Sequence, residues 1–335
     1  MEPKVAVIVP VYNMERYLRE CLDSLVGQTF KDIEIICFND ASTDSSIDIL
    51  REYAARDERF VIIDSPVNIK QGGGRNAGIR ASRAPYIMFV DPDDWVEPDF
   101  VEKYYTKAIE TGADIVVGDI NISKNGSVER VQIMDIDHSE DSPLIKRERL
   151  KIPVYIVVCL YKKSLFFEND LFFPENIQLG EDNAISYAIF IAAKKIVKIS
   201  AYLYYYRIHS TSSCHAANKN RILWHQESAI LALGNLKRFD PDNQYEREIK
   251  FLFIKLFYVS SIREILASDK INYLQIKEIS QRVLDYISPI DLSEYFNSLP
   301  LSSRIILRAA NKSPLAGDIA YRFVTLVRRV KSIVS

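Results

Sequence analysis

Three carboxylates stand together at Asp91-Pro92-Asp93-Asp94, directly after the apolar run Tyr86-Ile-Met-Phe-Val90. Asp91 and Asp93 flank a proline whose ring restricts the backbone that carries them. Carboxylate oxygens so placed suit Mg²⁺ or Mn²⁺, which keep further positions for water and substrate phosphates, so the chemistry would be a metal-bridged diphosphate. On these residues alone the alternative is an acidic turn in which Asp94 caps a helix running from Val96 to Ala108. A second acid pair, Glu181-Asp182, precedes an apolar stripe at helical spacing (Ile185, Ala188, Ile189, Ala192). The helix dipole would stabilise acids there, and capping accounts for at least one of the two.

Cations and a further acid complete the set. Arg75 follows Gly72-Gly73-Gly74 and is expected in the first turn of a helix, where the amino end favours anions. Arg207 and His209 follow the aromatic run Tyr204-Tyr-Tyr206 and could clamp a diphosphate by charge-assisted hydrogen bonds; the alternative is a surface ion-pairing arginine and a satisfied loop histidine. Asp40 comes after a second apolar run, where an acid can accept hydrogen bonds from a nucleoside or can close an Asx turn.

These residues need a scaffold that delivers them to one place. Val5–Val9, Ile33–Phe38, Phe60–Asp64 and Tyr86–Val90 read as strands, the apolar runs suiting a sheet buried on both faces. Between them lie a helix with the stripe Tyr17, Leu18, Cys21, Leu22, Leu25, capped by Asn13 and closed by Gly27, and a second helix through Ile49, Leu50 and Tyr53. Residues 68–74 read as a loop and 75–84 as a short helix. The order predicts an α/β, doubly wound, mostly parallel sheet flanked by helices, with its polar turns gathered along one edge. Asp114–Val117 and Ile156–Tyr161 add further apolar runs, and 119–148 reads as a polar excursion with an Asn125-Gly126 hairpin turn.

The chain has 335 residues, 48% hydrophobic and 26% charged, with a formal net charge of -2, which argues against a general nucleic-acid binder. Cys21, Cys37, Cys159 and Cys214 have no paired spacing and read as buried thiols of a cytosolic protein. The amino terminus enters a strand at once and reads as no signal peptide, and no apolar stretch reaches the ~18 residues of a membrane span. A nicotinamide-dependent oxidoreductase would carry its glycines after the first strand, where Pro10-Val-Tyr12-Asn13 has none.

The run Val7-Ile-Val-Pro10-Val-Tyr12-Asn13, with Cys21-Leu-Asp-Ser-Leu25, Asn39-Asp40-x-Ser42-Thr43-Asp44, Arg75-Asn76-x-Gly78 and Asp91-x-Asp93-Asp94, resembles the family 2 glycosyltransferases of the GT-A fold across residues 1–215. The resemblance implies a nucleotide-sugar-binding half over residues 1–110, an acceptor-binding half over 111–215 and a helical C-terminal region over 216–335. It gives Pro10, Tyr12 and Asp40 a base- and ribose-binding role and places Arg75 near the donor. Asp93 would lie nearest a Mn²⁺ or Mg²⁺ ion, with Asp91 on the ion or nearer the ribose. Asp182 would be the catalytic base with Glu181 beside it, and Arg207 and His209 would close over the donor. The implied reaction is inverting transfer from a UDP-sugar to a glycan or polyprenyl-linked acceptor in surface-polysaccharide synthesis, at the cytoplasmic face of a membrane. A catalytically idle nucleotide-sugar-binding protein on the same fold is the rival reading.

Residues 304–335 carry Arg304, Arg308, Lys312, Arg322, Arg328, Arg329 and Lys331 against Asp318, and from Ala320 an apolar stripe (Phe323, Leu326, Val327, Val330) runs at helical spacing. Such a basic amphipathic helix can lie on an anionic membrane or dock on the apolar run Phe251–Val259. The membrane reading expects the full chain to sediment with anionic liposomes at low salt and to lose this on truncation at Pro314; a chain that ignores the liposomes supports docking.

Overall fold

A computed structural model describes residues 2–134, 142–151, 154–209 and 220–267, with isolated positions as far as Arg304. The basic tail and its membrane or docked reading lie outside the described residues, as do Cys214 and Ser210. The chain forms two compact units, Met1–Ala217 with Gly234–Gln244, and Asn218–Leu233 with Tyr245–Ser335.

The first unit opens with β1 (Val5–Val11), α1 (Leu18–Val26), β2 (Ile33–Asp40), α2 (Ser46–Ala54), β3 (Phe60–Ser65), α3 (Lys70–Ala81) and β4 (Tyr86–Phe89). Every residue of β1 and β2 is buried, which is why their sequences are mostly apolar and not alternating; Glu34 in β2 is the buried exception before the polar end Asn39-Asp40. The four strands pair in parallel in the order β3-β2-β1-β4. Their carboxyl ends therefore share one edge, and the loops after β1, β2 and β4 meet there.

Beyond β4 the sheet becomes mixed. β5 (Trp95–Val96), α4 (Phe100–Thr111), β6 (Ile115–Lys124), β7 (Ser127–Val131), α5 (Pro143–Arg149), β8 (Cys159–Lys162), α6 (Ser164–Glu168), α7 (Asn183–Ala192) and β9 (Ile196–Ile208) follow. β8 runs antiparallel between β4 and β6, whereas β9 runs parallel to β6 and antiparallel to β5. The Asn125-Gly126 turn forms as expected, with positive φ at both residues. Residues 119–131, expected as an excursion, instead extend β6 and add β7 to the sheet.

Local readings give way to packing at three points. Asn13 does not cap α1, which starts at Leu18 after Tyr17; Asn13 takes a positive φ of 53° and bonds across to the loop after β2. Asp94 does not cap α4, because Trp95-Val96 first pairs with β9. Of the segment expected as a loop, 68–74, residues 70–74 are the start of α3, with the triple glycine inside the helix. Gly74 and Gly78 let α3 lie close against β1 and β2, while Gly72 faces the Pro174 carbonyl. A methyl on Gly72 would run into the Pro174 carbonyl oxygen, and a Cβ on Gly78 would sit 2.5 Å from Ile8 Cγ2.

The described part of the second unit is helical, with the first turns of α8 (Arg221–Arg238), then α9 (Glu246–Phe253), a π-helical stretch Ile254–Val259 and α10 (Ser260–Ala267). Arg221 grips Glu264 with two hydrogen bonds of 2.8 and 2.9 Å. Among the described residues no helix is long and apolar enough to cross a membrane. Cys21, Cys37 and Cys159 are buried free thiols.

Gly72→Ala should lower stability by about 1–3 kcal/mol, because overpacking against a backbone oxygen outweighs the roughly 1 kcal/mol of helix propensity that alanine brings. Gly234→Ala, in α8 with nothing within 4 Å of the added methyl, should instead raise it by up to about 1 kcal/mol. Denaturant unfolding of the two variants checks the opposite signs.

Candidate active site

The loops after β1 and β2 are bonded into one wall. Asn13 N–H donates to Ser42 Oγ (3.1 Å), Met14 N–H to Ser46 Oγ (2.8 Å) and Glu15 N–H to Asp44 Oδ2 (3.0 Å), while Thr43 N–H donates back to Asn13 Oδ1 (2.8 Å). The polar run that ends β2 thus has a structural task. The wall bounds a cavity of about 260 Å³ lined by Pro10, Val11, Tyr12, Asn13, Met14, Asp40, Asn68, Lys70, Gln71, Pro92 and Gln178. Pro10 is buried in this wall, and Tyr12 is 45% exposed. Asp40 is buried and its Oδ1 accepts the Ile69 N–H at 2.6 Å, so one carboxylate oxygen is engaged at the start of α3. Burial pushes its pKa up, opposed by the Ile69 and Lys70 amides and the Lys70 charge.

Next to this cavity, Arg75 joins two distant parts of the chain. Its Nη1 lies 2.6 Å from Glu181 Oε1 and its Nη2 lies 2.9 Å from Asp91 Oδ1, and its side chain is 3% exposed. Arg75 therefore sits inside α3, and not in a first turn open to anions, with both ends of its guanidinium on carboxylates. Burial disfavours its charge, but Asp91 and Glu181 outweigh that and keep it protonated. Burial pushes Glu181 up to about 7 against the pull of Arg75.

Asp182 is only partly buried and caps α7, its Oδ1 accepting the Asn183 N–H at 2.8 Å. Among the described residues no residue besides Asn183 donates to its carboxylate, which also takes its own amide. Burial raises its pKa while Arg75 opposes. Glu181 is committed to an ion pair, so Asp182 is the acid of this pair with a side available to a ligand.

The acids after β4 are held by β9. Tyr204 Oη donates to Asp94 Oδ2 at 2.6 Å and accepts the Asp91 N–H at 3.1 Å, and Arg207 N–H donates to Asp94 Oδ1 at 2.7 Å. Burial, reinforced by Asp93 and Asp91, raises Asp94 well above the usual carboxylate range. Arg207 points its Nε at the Asp93 carbonyl (2.8 Å) and its Nη2 at Glu20 (2.6 Å), and its guanidinium lies 4.4 Å from the Trp95 ring and 5.3 Å from Tyr17. This differs from a guanidinium turned toward a diphosphate. His209 packs against Tyr17 at 4.5 Å and places Nε2 2.8 Å from Asp93 Oδ2. Burial first, then the charge of Asp91, raises Asp93.

The structure thus gathers Asp91, Arg75, Glu181 and Asp182 at one edge, with Asp93 and His209 beside them and Pro10, Tyr12 and Asp40 along the cavity. Asp94, Tyr204, Trp95 and Lys70 were not singled out as site residues. Asp94 and Tyr204 find each other across 110 residues, a pairing no local pattern announces. Lys70 could have been flagged as a cation in the loop after Asn68.

The glycosyl transferase family 2 model matches residues 6–169. The chain is 30% identical over 226 residues to the glycosyltransferase GlyG of Streptococcus pneumoniae serotype 4, covering 63% of this chain and 73% of that one. It is 36% identical over 209 residues to the poly(ribitol-phosphate) beta-glucosyltransferase of Bacillus spizizenii, where it spans 61% of its own length but 32% of that protein's. In fold it matches S. aureus TarS 1–349 in complex with UDP-GlcNAc with a TM-score of 0.74 at 20% identity, covering 98% of this chain and 92% of that chain. The mixed sheet of the GT-A type, the carboxylates along its loop edge and these relatives agree: the chain belongs to the family 2 glycosyltransferases.

Proposed function

We propose that this chain moves a sugar, with inversion, from a UDP-sugar to a hydroxyl of a glycan or polyprenyl-linked acceptor in the synthesis of a cell-surface polysaccharide or glycoconjugate. The observation that carries the reading is the convergence of Asp91 and Glu181, each followed closely by a second acid, on the guanidinium of Arg75, beside the cavity of about 260 Å³. The UDP-GlcNAc complex of TarS and the sugar-transferring name of the Bacillus relative support the donor and acceptor classes. A lipid-carried acceptor is also where a basic tail would meet an anionic surface.

Asp182 is the base in this scheme. Its carboxylate takes the proton of the acceptor hydroxyl as that oxygen attacks the anomeric carbon, and the bond to the diphosphate oxygen breaks on the opposite face. One displacement inverts the configuration. Arg75 holds Glu181 so that the turn carrying Asp182 keeps its place. Pro10, Tyr12 and Asp40 hold the base and ribose.

Asp93, Asp91 and His209 suit a divalent cation. Asp93 and His209 already face each other at 2.8 Å, and burial with a second carboxylate nearby makes an ionised Asp93 costly until a cation is present. Among the described residues no three acids, histidines or cysteines form a ready cage, so the remaining positions would fall to water and diphosphate oxygens. When bound, Mn²⁺ or Mg²⁺ supplies charge neutralisation on the departing diphosphate. Thermal shift against a panel of nucleotides and nucleotide sugars, with and without Mn²⁺, tests the donor class, and NMR of the product's anomeric centre tests inversion.

Asp93→Ala should abolish Mn²⁺-dependent binding of UDP while leaving the melting temperature near wild type, since the residue lies in the turn between β4 and β5 and outside the apolar core; unchanged metal-dependent affinity by calorimetry would remove Asp93 from the metal. Asp182→Asn should keep donor binding and lose about 10²–10⁴-fold in transfer. Because the base must be ionised and burial raises its pKa, the wild-type rate should fall with decreasing pH at values above the ordinary aspartate range near ~3.9. A rate flat to that range would move the base elsewhere.

A further inference from the structure

Arg149 is fully buried at the end of α5, although no step of the transfer reaches it. Its Nη1 donates to the Phe190 carbonyl at 3.2 Å and to the Ala193 carbonyl at 2.6 Å, and its Nη2 donates to the Lys194 carbonyl at 3.4 Å. These carbonyls lie at the carboxyl end of α7, where a helix runs out of its own N–H donors and its dipole favours a cation. The helix so closed is the one that starts at Asp182.

The surface of α7 gives it little direction. Ala184–Ile191 are all buried, and the hydroxyl of Ser186 bonds within the helix, to Asp182 O at 2.6 Å. Apolar burial is non-directional, so it keeps α7 inside the protein without setting how far the helix slides along its axis or turns about it. Directional bonds do set that. Arg75 holds Glu181 just ahead of the helix, Asn235 Nδ2 donates to Ala184 O at 2.9 Å in its first turn, and Arg149 takes the far end. Burying a cation is costly, and what the guanidinium adds over an apolar side chain is a planar fork that meets several carbonyls in one geometry. A helix of 10 residues is a rod about 15 Å long, so a slip at Ala193 arrives at Asp182.

We infer that Arg149 is a positioning residue of the transfer site: its hold on the carboxyl end of α7 sets where Asp182 stands at the other end. The inference rests on the reading of Asp182 as the base and deepens it.

The test compares the full chain with Arg149→Lys, Arg149→Ala and Asp182→Asn by calorimetry of UDP with Mn²⁺, by melting temperature, and by release of UDP from UDP-GlcNAc and UDP-glucose with water as acceptor. Both Arg149 variants should bind UDP as the wild type does, because Pro10, Tyr12 and Asp40 stand on β1 and β2. UDP release should fall by about 10²-fold in Arg149→Ala, the cost of misplacing a catalytic group by about an ångström, and by less in Arg149→Lys. Guanidinium chloride, below the concentrations that unfold the protein, should restore part of the rate in Arg149→Ala, and sodium chloride should not. If Arg149→Ala does not fold, Arg149→Lys carries the comparison. An unchanged rate in a folded variant would overturn the inference, and so would a loss of UDP affinity equal to the loss of rate, since Arg149 would then support the fold as a whole. Asp182→Asn at the wild-type rate would remove the base assignment and this inference together, whereas a slow Asp182→Asn beside unaffected Arg149 variants would leave the base standing. If the wild type releases no UDP from either sugar, the donor reading fails and hydrogen exchange decides the anchor: the Ile185 and Ser186 amides, which both donate to Asp182 O, should lose protection in Arg149→Lys, and unchanged protection would overturn it.

Discussion

The buried guanidinium of Arg75, held between Asp91 and Glu181, is the interaction on which the catalytic edge depends. A cation taken this far from water is stable only with its charges matched, and removing one partner of such a pair costs about 3–5 kcal/mol because the other is left uncompensated. The pairing is therefore a strong positional constraint. It ties the loop after β4 to the turn before α7, two segments with no other reason to share a register. Everything that brings Arg75 to that point serves the same end, including the glycines that let α3 rest on the sheet and the Asn76 side chain, which accepts from Phe173 N–H and donates to Phe173 O.

A second device aligns the acids that follow β4. Tyr205, Trp95, Arg207, Tyr17 and His209 form a column in which Trp95 and Tyr205 stack at 4.9 Å and Arg207 lies between Trp95 and Tyr17. Flat groups in contact resist rotation, so His209 is presented to Asp93 by packing as much as by hydrogen bonding. Asp94, satisfied by Tyr204 and by a backbone amide, fixes the same loop from beneath. Of the three neighbouring carboxylates, one is thus structural, one shares a buried cation and one faces a histidine.

The cavity side is built differently. Asn13 and Ala41 adopt positive φ in the loops after β1 and β2, which hydrogen bonds join to each other, and Lys70 adopts it at the start of α3.

Much of this was legible in the residues. Strands buried on both faces need unbroken apolar runs, so β1, β2 and β4 announced themselves, and acids ending such a run have no place in a core, so Asp91, Asp93 and Asp40 stood out. The Asn125-Gly126 turn was readable because its backbone demands are local. What the chain order could not disclose were the partnerships: Arg75 with Glu181, Tyr204 with Asp94, β8 antiparallel between β4 and β6. The triple glycine was misread for the same reason, since glycine disfavours a helix in isolation and is required in one that touches a sheet. Local propensity is set by a residue and its neighbours in sequence, whereas the placing of a buried charge or a close-packed backbone is set by groups more than 100 positions away, and only the folded chain brings them within reach.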